Sequence, residues 1–329
     1  MSRAAVIACC LLLAAPGTAG ATNNLAYTGD PHWLDRPGTV VLDVRPLADC
    51  ERASVPGARC LPAGDLLGPH GRLPSFRQIA WLLGTLGLSG RETLVVAGER
   101  AQRRDFVAGI LYLAGQRRVL ILQRPLQAAL HAAGLAETPG RPRSLLADPI
   151  YQGRPRARLI VWRAELARAL TRPHPPLLVD GRGRDAYLGI RIDAYRGGHI
   201  PGALSLPADG LSTPQATRPS ATTLAGAIAY AEDPMGGIAY FAMLHAGLGA
   251  AVKVYPGGWR AWAAHTALPV SDETYVARPR HPTDVAASRS DRALSSSSIG
   301  LPLGLLAGVA GGAVAYTALY LTTRKVSWN

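Results

Sequence analysis

An order of markers that occurs twice constrains this chain more than any other feature. VVLDVR at 40–45 is a β-branched run ending in Asp-x-Arg, followed by Val55-Pro56-Gly57-Ala58 and then Leu61-Pro62. LLVDGR at 177–182 is followed by Ile200-Pro201-Gly202-Ala203 and then Leu206-Pro207. Each copy continues with a short apolar run (93–97, 227–231), a polar loop, a helical run (FVAGILYLAG, IAYFAMLHAG) and a further strand (119–122, 252–255). Continuous apolar strands alternating with helical patterns predict an α/β fold in which a mainly parallel sheet carries helices on both faces. A chain of 329 residues has room for two such units. We place them at 25–138 and 156–272. The Pro- and Gly-containing stretch 139–155 reads as a linker between them.

The second copy also holds GGHIPGALSLP at 197–207 and YPGGWRAW at 255–262. Together with LLVDGR these motifs resemble the rhodanese family of sulfurtransferases. The resemblance to tandem members covers roughly 25–272 and is degenerate in the first copy. Ser54 stands there where the family has its histidine, and QRPLQAAL replaces the Gly-Gly-Trp segment. The resemblance implies a cysteine thiolate that opens the loop between the central strand and the following helix. A helix N-terminus and backbone N–H groups would favour that thiolate. Matching by strand, loop and helix start puts Ala231 at this position in the second copy and Ala97 in the first. Neither loop, 231–237 nor 97–103, contains Cys, Ser or Thr, so no nucleophilic residue is expected. Phosphatase and arsenate-reductase chemistry on similar topologies fails for the same reason.

Other residues invite chemistry more weakly. Arg100, Arg103 and Arg104 surround an expected helix start and are candidates to hold sulfate, thiosulfate or a partner carboxylate; the alternative is a solvated basic loop. Cys50 and Cys60 flank the first Pro-Gly-Ala turn. A disulfide is expected in an oxidising compartment, with free structural thiols or a sulfur-carrying thiol as alternatives. His199 is the histidine of the family motif and is expected to fix its turn. Asp180 and Arg182 are expected to tie the strand end to neighbouring loops, and Gly257, Gly258 and Trp259 to close the core. No cluster has metal-ligand spacing, no nucleotide-binding motif is present, and no cofactor is expected.

The ends of the chain point to a membrane. Residues 1–21 read as a secretory signal peptide ending in Ala19-Gly20-Ala21. Residues 299–321 form an uncharged run long enough for one transmembrane helix. Arg324 and Lys325 in the tail 322–329 suit a cytoplasmic end. Residues 273–298 are polar and read as a stalk. Gly304, Gly308 and Gly312 recur every four residues, a spacing that lets membrane helices pack closely. The net charge of +13 is scattered along the chain rather than grouped, which argues against nucleic-acid binding. The expectation is a single-pass protein of a bacterial inner membrane with its domains in the periplasm. It would bind or scaffold a protein partner and lack turnover of its own. An active sulfurtransferase with a displaced nucleophile, or an accessory subunit recognised through its membrane helix, are the alternatives.

Overall fold

The central strands are apolar on both faces because each face meets its own core. In the computed structural model, which describes residues 24–146, 148–211 and 219–271, Leu94 and Val96 point into one apolar cluster and Val95 and Ala97 into another. Val119 and Ile121 alternate with Leu120 and Leu122 in the same way. This period of two is the ordinary strand repeat, here with both faces covered.

The first lobe contains β1 (Leu25–Thr28), β2 (Thr39–Asp43), α1 (Leu47–Arg52), β3 (Arg59–Cys60), α2 (Phe76–Thr85), β4 (Thr93–Ala97), α3 (Ala101–Leu113), β5 (Arg118–Leu122) and α4 (Leu126–Ala133). Its five strands are all parallel, in the order β1-β5-β4-β2-β3. The second lobe contains α5 (Arg163–Leu170), β6 (Leu178–Asp180), α6 (Arg184–Tyr187), β7 (Ala203–Ser205), α7 (Ala208–Leu211), β8 (Ile228–Tyr230), α8 (Pro234–Ala242), β9 (Lys253–Val254) and α9 (Gly258–Ala263). Its strands are parallel in the order β7-β6-β8-β9. Where β1 pairs with β5 in the first lobe, the described residues of the second have a parallel bridge from Ile160 to Val254.

The described residues of both lobes lie in one compact unit. Helices α3 and α8 pack on each other between the sheets, and one apolar cluster runs through both. It takes Phe106, Ile110 and Leu111 from α3, Ile238 and Phe241 from α8, and inward strand residues from Leu42 to Val254. Helix α3 is buried nearly all round from Arg104 onward, which explains why its apolar residues form no single stripe. The outer faces keep separate clusters. Leu126 and Leu130 of α4 cover the first sheet, and Leu166, Trp259 and Trp262 cover the second.

The stretch 139–155, expected as a linker, connects the lobes but is bound along the first. Gly140 N donates to Cys50 O at 2.9 Å, Cys60 N to Arg141 O at 2.8 Å, and Ser144 N to Thr85 O at 2.8 Å. Tyr151 in the same stretch is buried. Among the described residues no helix is long and apolar enough to cross a membrane. The signal segment 1–21, the stalk 273–298, the span 299–321 with Gly304, Gly308 and Gly312, and the tail 322–329 lie outside the described residues.

Candidate functional site

The site is built at the carboxyl ends of β6 and β8. Asp180 ends β6 fully buried, and Arg182 folds back onto it. Its Nε lies 3.0 Å from Oδ1 and its Nη2 2.7 Å from Oδ2. Nη2 also donates to Gly198 O at 2.8 Å, and the guanidinium carbon stands 4.7 Å from the Trp259 ring centroid. Burial opposes the charge on Arg182, but the hydrogen bonds and charge of Asp180 outweigh it and raise its pKa. The first lobe repeats the device: Arg45 pairs with Asp43 at 2.6 Å and donates to Ala53 O. The repeated Asp-x-Arg is thus a staple that ties the strand end to the loop before the Pro-Gly-Ala turn.

His199 lies in that loop and not in the loop after β8. Its Nδ1 donates to Tyr187 O at 3.0 Å, and its ring stacks on Tyr187 with centroids 3.8 Å apart. Its backbone pairs with Ser271. In the first lobe Ser54 takes the corresponding place. Its hydroxyl donates to Asp43 Oδ2 at 2.7 Å, and its backbone pairs with Thr138.

Ala231 follows β8 and is buried. Its carbonyl accepts from Trp259 N at 2.8 Å, and Glu232 O accepts from Arg260 N at 2.9 Å. The N-terminus of α9 therefore presses directly on the loop, and Gly258 makes this approach possible. Its φ is +62°, and a β-carbon there would fall 2.7 Å from Glu232 O and 2.8 Å from Ala231 O.

The loop is short, and its own acids fill it. Helix α8 starts at Pro234, with Asp233 as N-cap; its Oδ1 accepts from Gly236 N at 2.9 Å. A carboxylate of the chain thus sits where an external anion would meet the helix N-terminus. The Glu232 carboxylate lies between Arg182 Nη1 at 3.7 Å and Arg260 Nε at 3.9 Å. Burial raises its pKa, and the two arginines oppose that rise.

The equivalent loop of the first lobe starts at Ala97, which is fully buried. Helix α3 opens at Ala101, with Arg100 as N-cap and no side-chain cap. Arg100 and Arg103 line a cavity of about 200 Å³ with Arg45, Asp49 and Glu99. Arg104, grouped with them in the sequence, turns the other way. It is buried and donates to Gly98 O at 2.6 Å and Gln123 O at 3.0 Å. It clamps the loop to the end of β5 and does not face the cavity.

Cys50 and Cys60 form a disulfide, and both are fully buried. Gly140 lies over the bridge so closely that a β-carbon there would be 2.5 Å from Cys50 Sγ. No thiol is therefore free among the described residues.

Between the lobes lies a cleft of about 690 Å³ that no motif announces. Arg72 and Leu73 of the first lobe face Trp162, Arg163, Met235 and Arg260 of the second across it. These residues are far apart in the chain and come together through the packing of the lobes, α3 on α8 and β1 on the turn Met243–Gly247.

Residues 163–265 match the sequence profile of the rhodanese-like domain. No curated protein matches the chain by sequence. Among solved structures, YnjE superposes with a TM-score of 0.61 at 22% identity, covering 75% of this chain and 68% of that one. EanB in complex with ergothioneine superposes with a TM-score of 0.60 at 19% identity, covering 75% and 70%. A probable thiosulfate sulfurtransferase superposes with a TM-score of 0.53 at 24% identity, covering 72% and 98%. The chain shares the α/β fold of these structures, and residues 163–265 match a rhodanese-like domain.

Proposed function

We propose that this chain is a rhodanese-like protein that binds but does not transfer sulfur, acting as an accessory or scaffold module at a bacterial inner membrane. One observation carries the reading: alanine occupies the nucleophile position after β8, and the carboxylate of Asp233 caps the helix that would have stabilised a thiolate. The rival, sulfur transfer through a displaced cysteine, would need Cys50 or Cys60, and these are buried in one disulfide. Export by 1–21, the stalk 273–298 and anchorage by 299–321 would hold both lobes in the periplasm, where that disulfide is at home. The anchor, with Gly304, Gly308 and Gly312 on one face, would also suit an accessory subunit that packs against a membrane partner.

The test is thiosulfate:cyanide sulfurtransferase turnover by the mature chain. None is expected. Robust turnover, lost in Cys60→Ser, would refute the reading. Detergent pull-down with and without 299–329 then asks whether the anchor or the lobes select the partner.

A further inference from the structure

The interlobe cleft has features that folding alone does not require. Trp162 stands on its wall 54% exposed, and Tyr195 is 84% exposed. His70, on the opposite wall, is the one non-glycine residue with positive φ among the described residues, at +59°. Such backbone strain collects at binding sites, where the surrounding fold holds it in place. Arg72, Arg163 and Arg260 line the cleft, and Asp233 is its single acid. Arg260 is shared by Glu232 and Asp233 at 3.9 and 4.0 Å, and no ion pair involves Arg72 or Arg163 among the described residues. The cleft therefore carries uncompensated positive charge.

Beside it lies a second cavity of about 260 Å³, lined by Phe76, Ile79, Ile110, Leu113 and Ile238. Leu73, Trp162 and Pro256 line both cavities, so the cationic cleft and the apolar recess adjoin across these three residues. The cleft alone falls within the roughly 300–1,000 Å³ usual for small-molecule sites, and the recess adds apolar depth.

We infer that this cleft binds a small organic anion with an apolar body, its carboxylate or sulfonate held by Arg72 and Arg163 and its apolar part seated past Trp162 in the recess. The inference deepens the reading of a binding module and rests on it. Charge complementarity selects the head, and the apolar recess on the far side of Trp162 selects the body. Inorganic anions would gain nothing from the recess, and neutral apolar molecules would leave the guanidinium groups unpaired.

The experiment titrates the mature full chain in lipid nanodiscs, against empty nanodiscs, with phenylbutyrate, phenylbutanol and phenylbutylammonium. Calorimetry and tryptophan emission report binding. Phenylbutyrate should bind about tenfold or more tightly than the other two, the scale of a charge-assisted hydrogen bond. The exposed substitutions Arg72→Gln and Arg163→Gln should erase that preference while leaving phenylbutanol unchanged. Trp162→Ala should weaken both acid and alcohol. Equal binding of the three probes, no binding of phenylbutyrate at millimolar concentration, or a preference untouched by the arginine substitutions would each overturn the inference. A sulfur-transfer assay on the same preparation judges the non-catalytic reading separately, since the isotherms do not depend on turnover.

Discussion

Gly109 of α3 lies against Ile238 of α8 so closely that a β-carbon on the glycine would fall 2.6 Å from Ile238 Cγ2 and 2.9 Å from Ile238 O. The lobes meet at this pair, and Ile238 also lines the apolar recess beside the interlobe cleft. Real β-carbons essentially never approach so near, so any larger residue must push the helices apart.

Gly109→Val should therefore destabilise the chain by about 1–3 kcal/mol, the usual cost of overpacking a core. Helix propensity does not reverse the sign, because valine gains little over glycine in a helix interior. Ile238→Ala alone should cost about 2–5 kcal/mol. The double variant should cost less than the sum, because the truncated side chain makes room for the added one. Denaturant unfolding of the three variants checks this. Strict additivity would mean that the contact does not set the helix spacing.

Asp105 predicts a pH dependence. It is buried in α3 and accepts from Tyr27 Oη at 2.9 Å, with Arg104 next to it. Burial raises its pKa from 3.8 to about 6, against the opposing effects of the Tyr27 hydrogen bond and Arg104. With the folded pKa above the unfolded one, the folded state holds the extra proton between these values. Stability should thus be greater below pH 4 as far as this group is concerned, and fall as pH rises to 6, by at most about 3 kcal/mol. Asp105→Asn keeps a hydrogen-bond acceptor for Tyr27 and should flatten that slope in unfolding measured from pH 4 to 7. An unchanged slope would place the titration elsewhere.

The disulfide offers a third check. Cys50 and Cys60 are ten residues apart, so closing that loop should contribute about 2.5–3 kcal/mol on a chain-entropy basis. Alkylation of the denatured, unreduced chain should label neither residue. Cys50→Ala/Cys60→Ala should lower the unfolding midpoint without altering the second lobe, which can be followed through Trp259 and Trp262.

What the sequence disclosed is what neighbouring residues do to each other. Asp180 and Arg182 are two positions apart, and their staple is a local device, so the motif alone pointed to its place at a strand end. The Gly257-Gly258-Trp259 run was legible as a core closure for the same reason, since the glycine φ and the indole burial follow from one tight turn. Arg104 was misgrouped because adjacent helix positions point in different directions, about 100° apart for successive residues. The Asp233 cap had a signal in the pair Asp233-Pro234. Asp followed by Pro marks an N-cap and first helical turn. The cleft had no such signal, because Arg72 and Arg163 are far apart in the chain and meet only when the lobes pack.

Ala231→Cys tests the proposed place of a nucleophile after β8. If alanine were the sole change, Ala231→Cys would restore a thiolate activated by the α8 N-terminus, with a pKa depressed below the ordinary value of about 8.5. Here the carboxylate of Asp233 already occupies that positive end, and Glu232 adds a second acid beside Ala231. The new thiol should accordingly titrate near or above the ordinary value, and thiosulfate turnover should stay marginal. Asp233→Ser keeps a hydroxyl to cap Gly236 N while removing the charge, so adding it to Ala231→Cys should lower the thiol pKa without unwinding α8. The pH dependence of iodoacetamide alkylation reads both values. A strongly depressed pKa in Ala231→Cys alone would show that the acids do not neutralise the site, and that a single substitution separates this chain from sulfur transfer.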